Sequence, residues 1–275
     1  MVEHLSKTIA IINLLLITII CACAQDAVVG DMDWPEPKLE NRPGTYWWWM
    51  GSAVDKENIS WNLETMQEAG MGGATIVPIY GVKGYEEKYL QHLSPEFVEM
   101  VSYASKEAKR LGMWVDMTTG TGWPFGGPMI SDEYCDATVV YKNGKVGQEF
   151  SGRRVKRAAP GNEGMAINPY SAKAMAYYLK HFDGPFGRKD VVMPRAMYHD
   201  SFEFMGNWCK ELPEEFRKRR GYDLMKHLSE LSGNGDPDAV ARIKADYRET
   251  LSDLHLEYLQ VWVKWSESMG CTTRN

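Results

Sequence analysis

Asp200 and Glu203, two carboxylates three residues apart, follow directly on Arg195 to His199, a short segment that reads as a β-strand. A pair placed just past a strand end shares one cleft. Mutual repulsion and partial burial are then expected to raise one pKa, leaving a protonated acid able to donate to a leaving oxygen. Glu203 takes that role in this reading, and Asp200 becomes a ligand for a substrate hydroxyl or a metal. The plainer alternative has Asp200 capping a turn and Glu203 solvated. His199 could join them in a hard cation site suited to calcium. A lone histidine beside a strand is, however, more often a hydrogen-bonded core residue.

Three other strand ends carry unusual residues. The first gives Trp47-Trp48-Trp49-Met50-Gly51, and the second Pro78-Ile79-Tyr80-Gly81. The third gives Asp116, then Thr119-Gly120-Thr121-Gly122-Trp123-Pro124-Phe125-Gly126-Gly127-Pro128. Glycines allow tight turns and close approach of a ligand, and the Trp123 indole offers a flat face to the C–H side of a sugar ring. No lysine follows in phosphate-loop position, which argues against a nucleotide. The same loop could instead be structural, with Trp123 packed inward. In a strand, side chains alternate between faces, so Trp48 points away from Trp47 and Trp49. At least one of the three belongs to the core and another can line a site. Trp48, Asp116, Trp123, His199 and Asp200 are thus the candidate substrate contacts, and Glu203 the candidate acid.

The elements that must hold these residues alternate in type. Tyr46 to Met50 is a strand; Asp55 caps a helix carrying Ile59, Leu63 and Met66 that stops at Gly70. Ala74 to Tyr80 is a second strand. Ser94-Pro95 opens a helix with Val98, Val101, Ala104, Ala108 and Leu111 on one stripe, ending at Gly112. Met113 to Thr118 is a third strand, and Val139 to Phe150, turning at Asn143-Gly144, an inserted β-hairpin. A helix is predicted over Pro169 to His181, then a fourth strand over Arg195 to His199. From Val240 to Met269 apolar residues recur every three or four positions, the mark of a helix with one buried stripe, Trp262 and Trp265 included. Gly270 ends it, and Cys271 to Asn275 begins a further element. Such alternation predicts an α/β fold with a parallel sheet. The first strand lacks a Gly-x-Gly-x-x-Gly turn, which disfavours a dinucleotide fold. A TIM-type (β/α)8 barrel fits better, but only about four βα units and a stub are visible, so the barrel is expected to be partial.

A net charge of −6 argues against a nucleic-acid partner. Arg153-Arg154-Val155-Lys156-Arg157 and Arg217-Lys218-Arg219-Arg220 are expected to be solvated faces. Residues 1–24 resemble a signal peptide: Lys7, an apolar run from Ile9 to Ile20 too short for a membrane span, then Ala22-Cys23-Ala24 before Gln25. An alternative uses Ile20-Cys21-Ala22-Cys23 as a lipoprotein box, leaving a lipid anchor on Cys23. Either way export is expected, to the periplasm, the outer membrane as a lipoprotein, or the exterior, with no transmembrane segment. Residues 25–43 are a polar, extended lead-in and residues 44–275 the catalytic domain. Beyond the signal, Cys135, Cys209 and Cys271 form no disulfide or zinc pattern and are expected to be small buried side chains.

Several segments together resemble glycoside hydrolase family 106, the α-L-rhamnosidases. They are Trp47 to Gly51; Met66-Gln67-Glu68-Ala69-Gly70-Met71-Gly72-Gly73; Glu107-Ala108-Lys109-Arg110-Leu111-Gly112-Met113; Gly122 to Pro128; Asp200 to Glu203; and Phe216-Arg217-Lys218-Arg219-Arg220-Gly221-Tyr222-Asp223. The resemblance implies a (β/α)8 catalytic domain and inverting hydrolysis of rhamnosides such as pectic glycans. It also implies Glu203 as general acid and a calcium ion near the sugar. Inversion needs a second carboxylate roughly 6.5–9.5 Å away to activate water, which in relatives comes from later strands, as does most of the calcium site. The chain is therefore expected to be a fragment that is inactive alone. The alternative is an exported carbohydrate-binding protein without catalysis; a third reading is a metal-dependent hydrolase using His199, Asp200 and Glu203.

Overall fold

The computed structural model describes residues 35–142 and 145–275. The expected signal segment with Cys23, the lead-in up to residue 34 and the Asn143-Gly144 turn lie outside the described residues. All of the helices and strands belong to the unit Leu39–Asn275.

Strand β1 (Gly44–Met50) alternates as its sequence demands: Trp47 and Trp49 are buried, while Tyr46, Trp48 and Met50 are exposed on the opposite face. Helix α1 (Lys56–Glu68) starts where the Asp55 carboxylate accepts the Asn58 N–H at 2.8 Å, and it buries Ile59 and Leu63. Strand β2 (Gly73–Ile79) is buried throughout, as a strand covered on both faces should be. Helix α2 (Pro95–Arg110) opens on the Ser94 cap and a first-turn proline, and strand β3 (Trp114–Thr118) follows.

Between β3 and the next parallel strand lie a two-residue antiparallel pair, β4 (Gly126–Gly127) with β7 (Met165–Ala166), and the inserted hairpin β5 (Ala137–Lys142) with β6 (Lys145–Phe150). Helix α3 (Ala172–Phe186) begins three residues later than predicted. The Asn168 side-chain oxygen takes the Tyr170 N–H at 3.0 Å, closing a turn, and Ser171 then caps the helix. Strand β8 (Ala196–Tyr198), helices α4 (Leu212–Arg220), α5 (Leu228–Leu231) and α6 (Pro237–Ser268), and strand β9 (Thr272–Arg274) complete the chain. The five strands β1, β2, β3, β8 and β9 are hydrogen-bonded in that order, each parallel to the next. Spatial order therefore follows chain order, with β1 and β9 at the edges. The segment after α6 is thus a fifth strand. Among the described residues no helix is long and apolar enough to cross a membrane.

One core packs Trp47 and Trp49 against Ile59, Leu63, Phe97, Val98 and the C-terminal half of α6 through Tyr258 and Trp262. A second joins Trp208, Leu212 and Phe216 to Ile243, Tyr247 and Leu254 of the same helix. Cys135, Cys209 and Cys271 are free and buried.

The sheet also carries a buried charge. Asp116 on β3 is fully buried. Arg195 donates to both its oxygens at 2.9 and 2.7 Å, and Arg274 of β9 donates to one at 3.0 Å. Arg274 also reaches the Thr75 hydroxyl of β2 at 2.7 Å. The cluster ties four strands together at one level of the sheet. A buried carboxylate stripped of such partners is strongly destabilising, and here both arginines keep contact with solvent, which moderates the effect. Asp116→Asn is expected to cost about 2 kcal/mol of unfolding free energy in a denaturant titration; a midpoint equal to the parent's would show the cluster to be idle.

His92 is buried against Phe97 and Phe182, ring centroids 4.9 and 5.9 Å away, and neither ring nitrogen has a hydrogen-bond partner. Burial drives its pKa from 6.5 down to about 3, and that of His199 down to about 4. Both groups are depressed on folding, so the unfolded chain binds the extra protons. Their contribution is intact above pH 6.5 and is lost as pH falls from there toward 4. His92→Phe removes one of these terms together with two unsatisfied nitrogens. The variant should be at least as stable at pH 7, and should lose less stability than the parent between pH 6.5 and 5. A steeper acid loss in the variant would contradict this.

Candidate active-site cleft

The carboxyl ends of the parallel strands are laced together by backbone. Gly51 N–H bonds to the Ile79 carbonyl at 2.9 Å, Gly122 N–H to that of Pro78 at 2.9 Å, and Thr119 N–H to that of Tyr198 at 3.1 Å. Side chains from the helix layer hold the third loop from below. The Tyr178 hydroxyl donates to the Thr119 carbonyl at 2.9 Å and the Trp262 indole N–H to the Thr119 hydroxyl at 2.9 Å. The stripe of α6, expected to be core alone, thus also positions a loop at this rim.

That loop then pairs with the segment after the hairpin. Trp123 and Lys156 exchange backbone hydrogen bonds at 3.0 and 2.7 Å. Gly122, at φ +56°, makes this approach possible, since a Cβ there would overlap the Lys156 carbonyl oxygen. Its space is filled by protein backbone and not kept for a ligand. Trp123 does not turn inward: it is half-buried, 6.5 Å from the exposed Trp48 ring, and Tyr46 stacks on Trp48 at 5.0 Å. The Tyr46 and Tyr198 hydroxyls are hydrogen-bonded at 2.7 Å. The structure thus brings Trp48 and Trp123 into one aromatic cluster at the carboxyl ends of the strands.

Glu203 is partly exposed and ion-paired with Lys156, whose backbone is bridged to Trp123. The Lys156 ammonium, with a smaller contribution from Arg153, holds its carboxyl below the usual range. The expected upward shift is therefore corrected: a lysine reaches Glu203, where carboxylate repulsion had been predicted to dominate. Asp200 accepts the neighbouring Ser201 N–H at 2.6 Å. His199 is 1% exposed, its Nδ1 facing the Asp200 carbonyl at 2.7 Å, its ring packed on Phe125 and Phe202. Its Nε2 is buried and unpartnered. It belongs to the core and not among the cleft's exposed contacts. Asp116 is likewise corrected, because it is the third of five residues in β3 and is spoken for by Arg195 and Arg274.

Three residues without a signal in the local sequence shape the site. Asp136, fully buried, accepts the N–H groups of Met205 and Gly206 and the Ser151 hydroxyl, at 2.8 to 3.0 Å, and so pins the segment following Glu203. Lys156 pairs with Glu203. Arg157 adopts φ +58°, a conformation costing a non-glycine residue about 1–3 kcal/mol. Its guanidinium lies 5.0 Å from the Trp123 ring and 5.6 Å from that of Tyr80. Both basic runs are solvent-accessible, as expected, but several of their residues also make specific contacts. In the second run Arg219 binds Glu215 and Glu257 at 2.8 and 2.7 Å, and Arg220 binds Asp253 at 2.7 Å, bracing α4 on α6.

Calcium takes roughly six to eight oxygen ligands. Among the described residues no three His, Cys, Asp or Glu side chains converge in a way that could hold an ion. His199, Asp200 and Glu203 in particular form no such group.

Comparison with known proteins places this geometry. The alpha-L-rhamnosidase profile of glycoside hydrolase family 106 matches residues 35–152 and 137–270. A protein of Formosa agariphila named "Putative beta-glucuronidase" is 30% identical over 145 residues, 52% of this chain and 12% of that protein. The structure of a rhamnosidase from Novosphingobium sp. PP1Y superposes with a TM-score of 0.65 at 13% identity, over 86% of this chain and 46% of that one. The chain thus spans less than half of that structure and about an eighth of the Formosa protein. With a family profile matched along most of its described length, the chain belongs to the alpha-L-rhamnosidase family, glycoside hydrolase family 106.

Proposed function

We propose that this chain supplies the sugar-gripping half of an inverting α-L-rhamnosidase active site, and that on its own it binds rhamnosides, such as those of pectic glycans, without hydrolysing them. The observation that carries the reading is the pairing of Trp48 with Trp123 at 6.5 Å at the carboxyl end of a parallel sheet, with Glu203 tied to this rim through Lys156. That end is where α/β barrels place their chemistry. Five parallel strands in chain order are compatible with the first five of eight. Two indoles would offer flat apolar faces to a sugar ring, and Glu203 is the group to which this reading gives protonation of a leaving oxygen. In this chain Lys156 keeps Glu203 ionised, the wrong state for an acid. Asp116 and Asp136 are both committed to structural partners, so neither is free to activate water. Export, inferred from residues 1–24, suits a protein that meets plant polysaccharide outside the cell.

Calorimetry with a rhamnosylated oligosaccharide should show saturable binding, weakened about tenfold or more by Trp123→Ala and by Trp48→Ala. An aryl α-L-rhamnoside should not be turned over by the same protein. Robust hydrolysis abolished by Glu203→Gln would overturn the division of labour proposed here, and absence of any binding would overturn the reading itself.

The Lys156 pairing makes a separate prediction. Lys156→Gln should raise the Glu203 pKa toward the usual carboxylate range, followed by the carboxyl carbon shift in an NMR titration. A midpoint that stays where it is in the parent would mean that Lys156 does not control this acid.

A further inference from the structure

Arg157 is the residue of the cleft that the sugar-stacking reading leaves unused. Its guanidinium lies over the Trp123 and Tyr80 rings, 5.0 and 5.6 Å from their centroids, and has no ion-pair or hydrogen-bond acceptor for its N–H groups among the described residues. It is exposed, and so is Tyr80. Lys156 beside it has Glu203, and Arg219 and Arg220 each have carboxylates; Arg157 has only rings. The backbone is committed to this placement: Arg157 holds a left-handed φ of +58°, its carbonyl accepts the Tyr80 N–H at 3.3 Å, and Gly122 leaves room for the turn.

A guanidinium stacked on aromatic faces is attracted through the ring quadrupole while its in-plane N–H edge stays free. The side chain is therefore oriented before any ligand arrives, and the edge is a two-pronged donor whose natural complement is a carboxylate, met in bidentate fashion. The Trp123 ring that would hold a sugar is the same ring that carries Arg157. An anion attached to the neighbouring sugar of a bound chain would thus fall within reach of the fork.

Resting on the proposed saccharide-binding role of the cleft, we propose that Arg157 is a specificity-determining residue that selects acidic glycans, by binding the carboxylate of a uronate adjacent to the sugar stacked on Trp48 and Trp123. Rhamnose itself carries no charge, so the preference is for the chain in which it is embedded.

The test compares two probes on the full chain by calorimetry: an oligosaccharide of alternating rhamnose and galacturonate, and the same oligosaccharide with its carboxylates reduced to alcohols. The acidic form should bind about tenfold more tightly at low salt, and the ratio should approach one in Arg157→Gln, with the thermal midpoint monitored to show that the variant is folded. Equal affinity of the parent for both forms overturns the inference while leaving the saccharide reading intact. So does a ratio that survives Arg157→Gln unchanged. Failure of both forms to bind removes the underlying reading and this one with it. A sulfated neutral oligosaccharide that binds better than the uronate would identify a different anion and overturn the choice of carboxylate.

Discussion

A fully buried carboxylate inside a sheet has to be neutralised, and the way Asp116 is neutralised organises this molecule. Its two arginines come from the residue preceding β8 and from within β9. Those strands are only three residues long each, so their backbone ladders are short. The ionic cluster supplies what the ladders cannot. It fixes β8 and β9 against β3 at one level, and Arg274 extends the link to Thr75 on β2. Desolvating the carboxylate is costly in itself, but with fork-shaped donors in good geometry the cost is largely offset, and the arrangement tolerates few alternatives in register.

Register matters because the site is built from the loops that leave the strands. With β3 and β8 locked together, Thr119 and His199 start their loops side by side. Tyr178 and Trp262 then grip the first loop at Thr119, while Asp136 grips the backbone of the second at Met205 and Gly206. The two loops therefore rest on three buried anchors, Tyr178, Trp262 and Asp136.

Much of the scaffold was legible in sequence because its signals are local. Caps at Asp55 and Ser94, helix stops at Gly70, Gly112 and Gly270, and the Trp47–Trp49 alternation each depend on a few neighbouring residues, and the structure has them where they were read. The site was less legible because its determinants are distant. Asp116 looked like a strand-end ligand because Arg195 and Arg274 lie 79 and 158 positions away. The basic run at 153–157 looked like a solvated surface alone because nothing local reveals that Lys156 meets Glu203, 47 positions on, or that Arg157 meets Trp123. The glycines of the 119–128 loop could be read either as turns or as room for a ligand, because a sequence does not distinguish space left for a substrate from space taken by another stretch of backbone, as at Gly122.

The ion pair at Glu203 looks at first like an obstacle to catalysis, yet its energy argues otherwise. The Lys156 and Glu203 side chains are 47% and 35% exposed, and solvent screens pairs in such surroundings heavily. Lys156 is held at this rim by its backbone bridge to Trp123, not by its ammonium, so the side chain can swing away without disturbing the loop. A ligand or an incoming carboxylate could displace it at little cost, and drying of the cleft would then raise the freed acid's pKa. On the proposed reading, catalysis would therefore be decided less by the lysine than by a carboxylate able to activate water on the far side of the sugar, since an inverting reaction needs both groups.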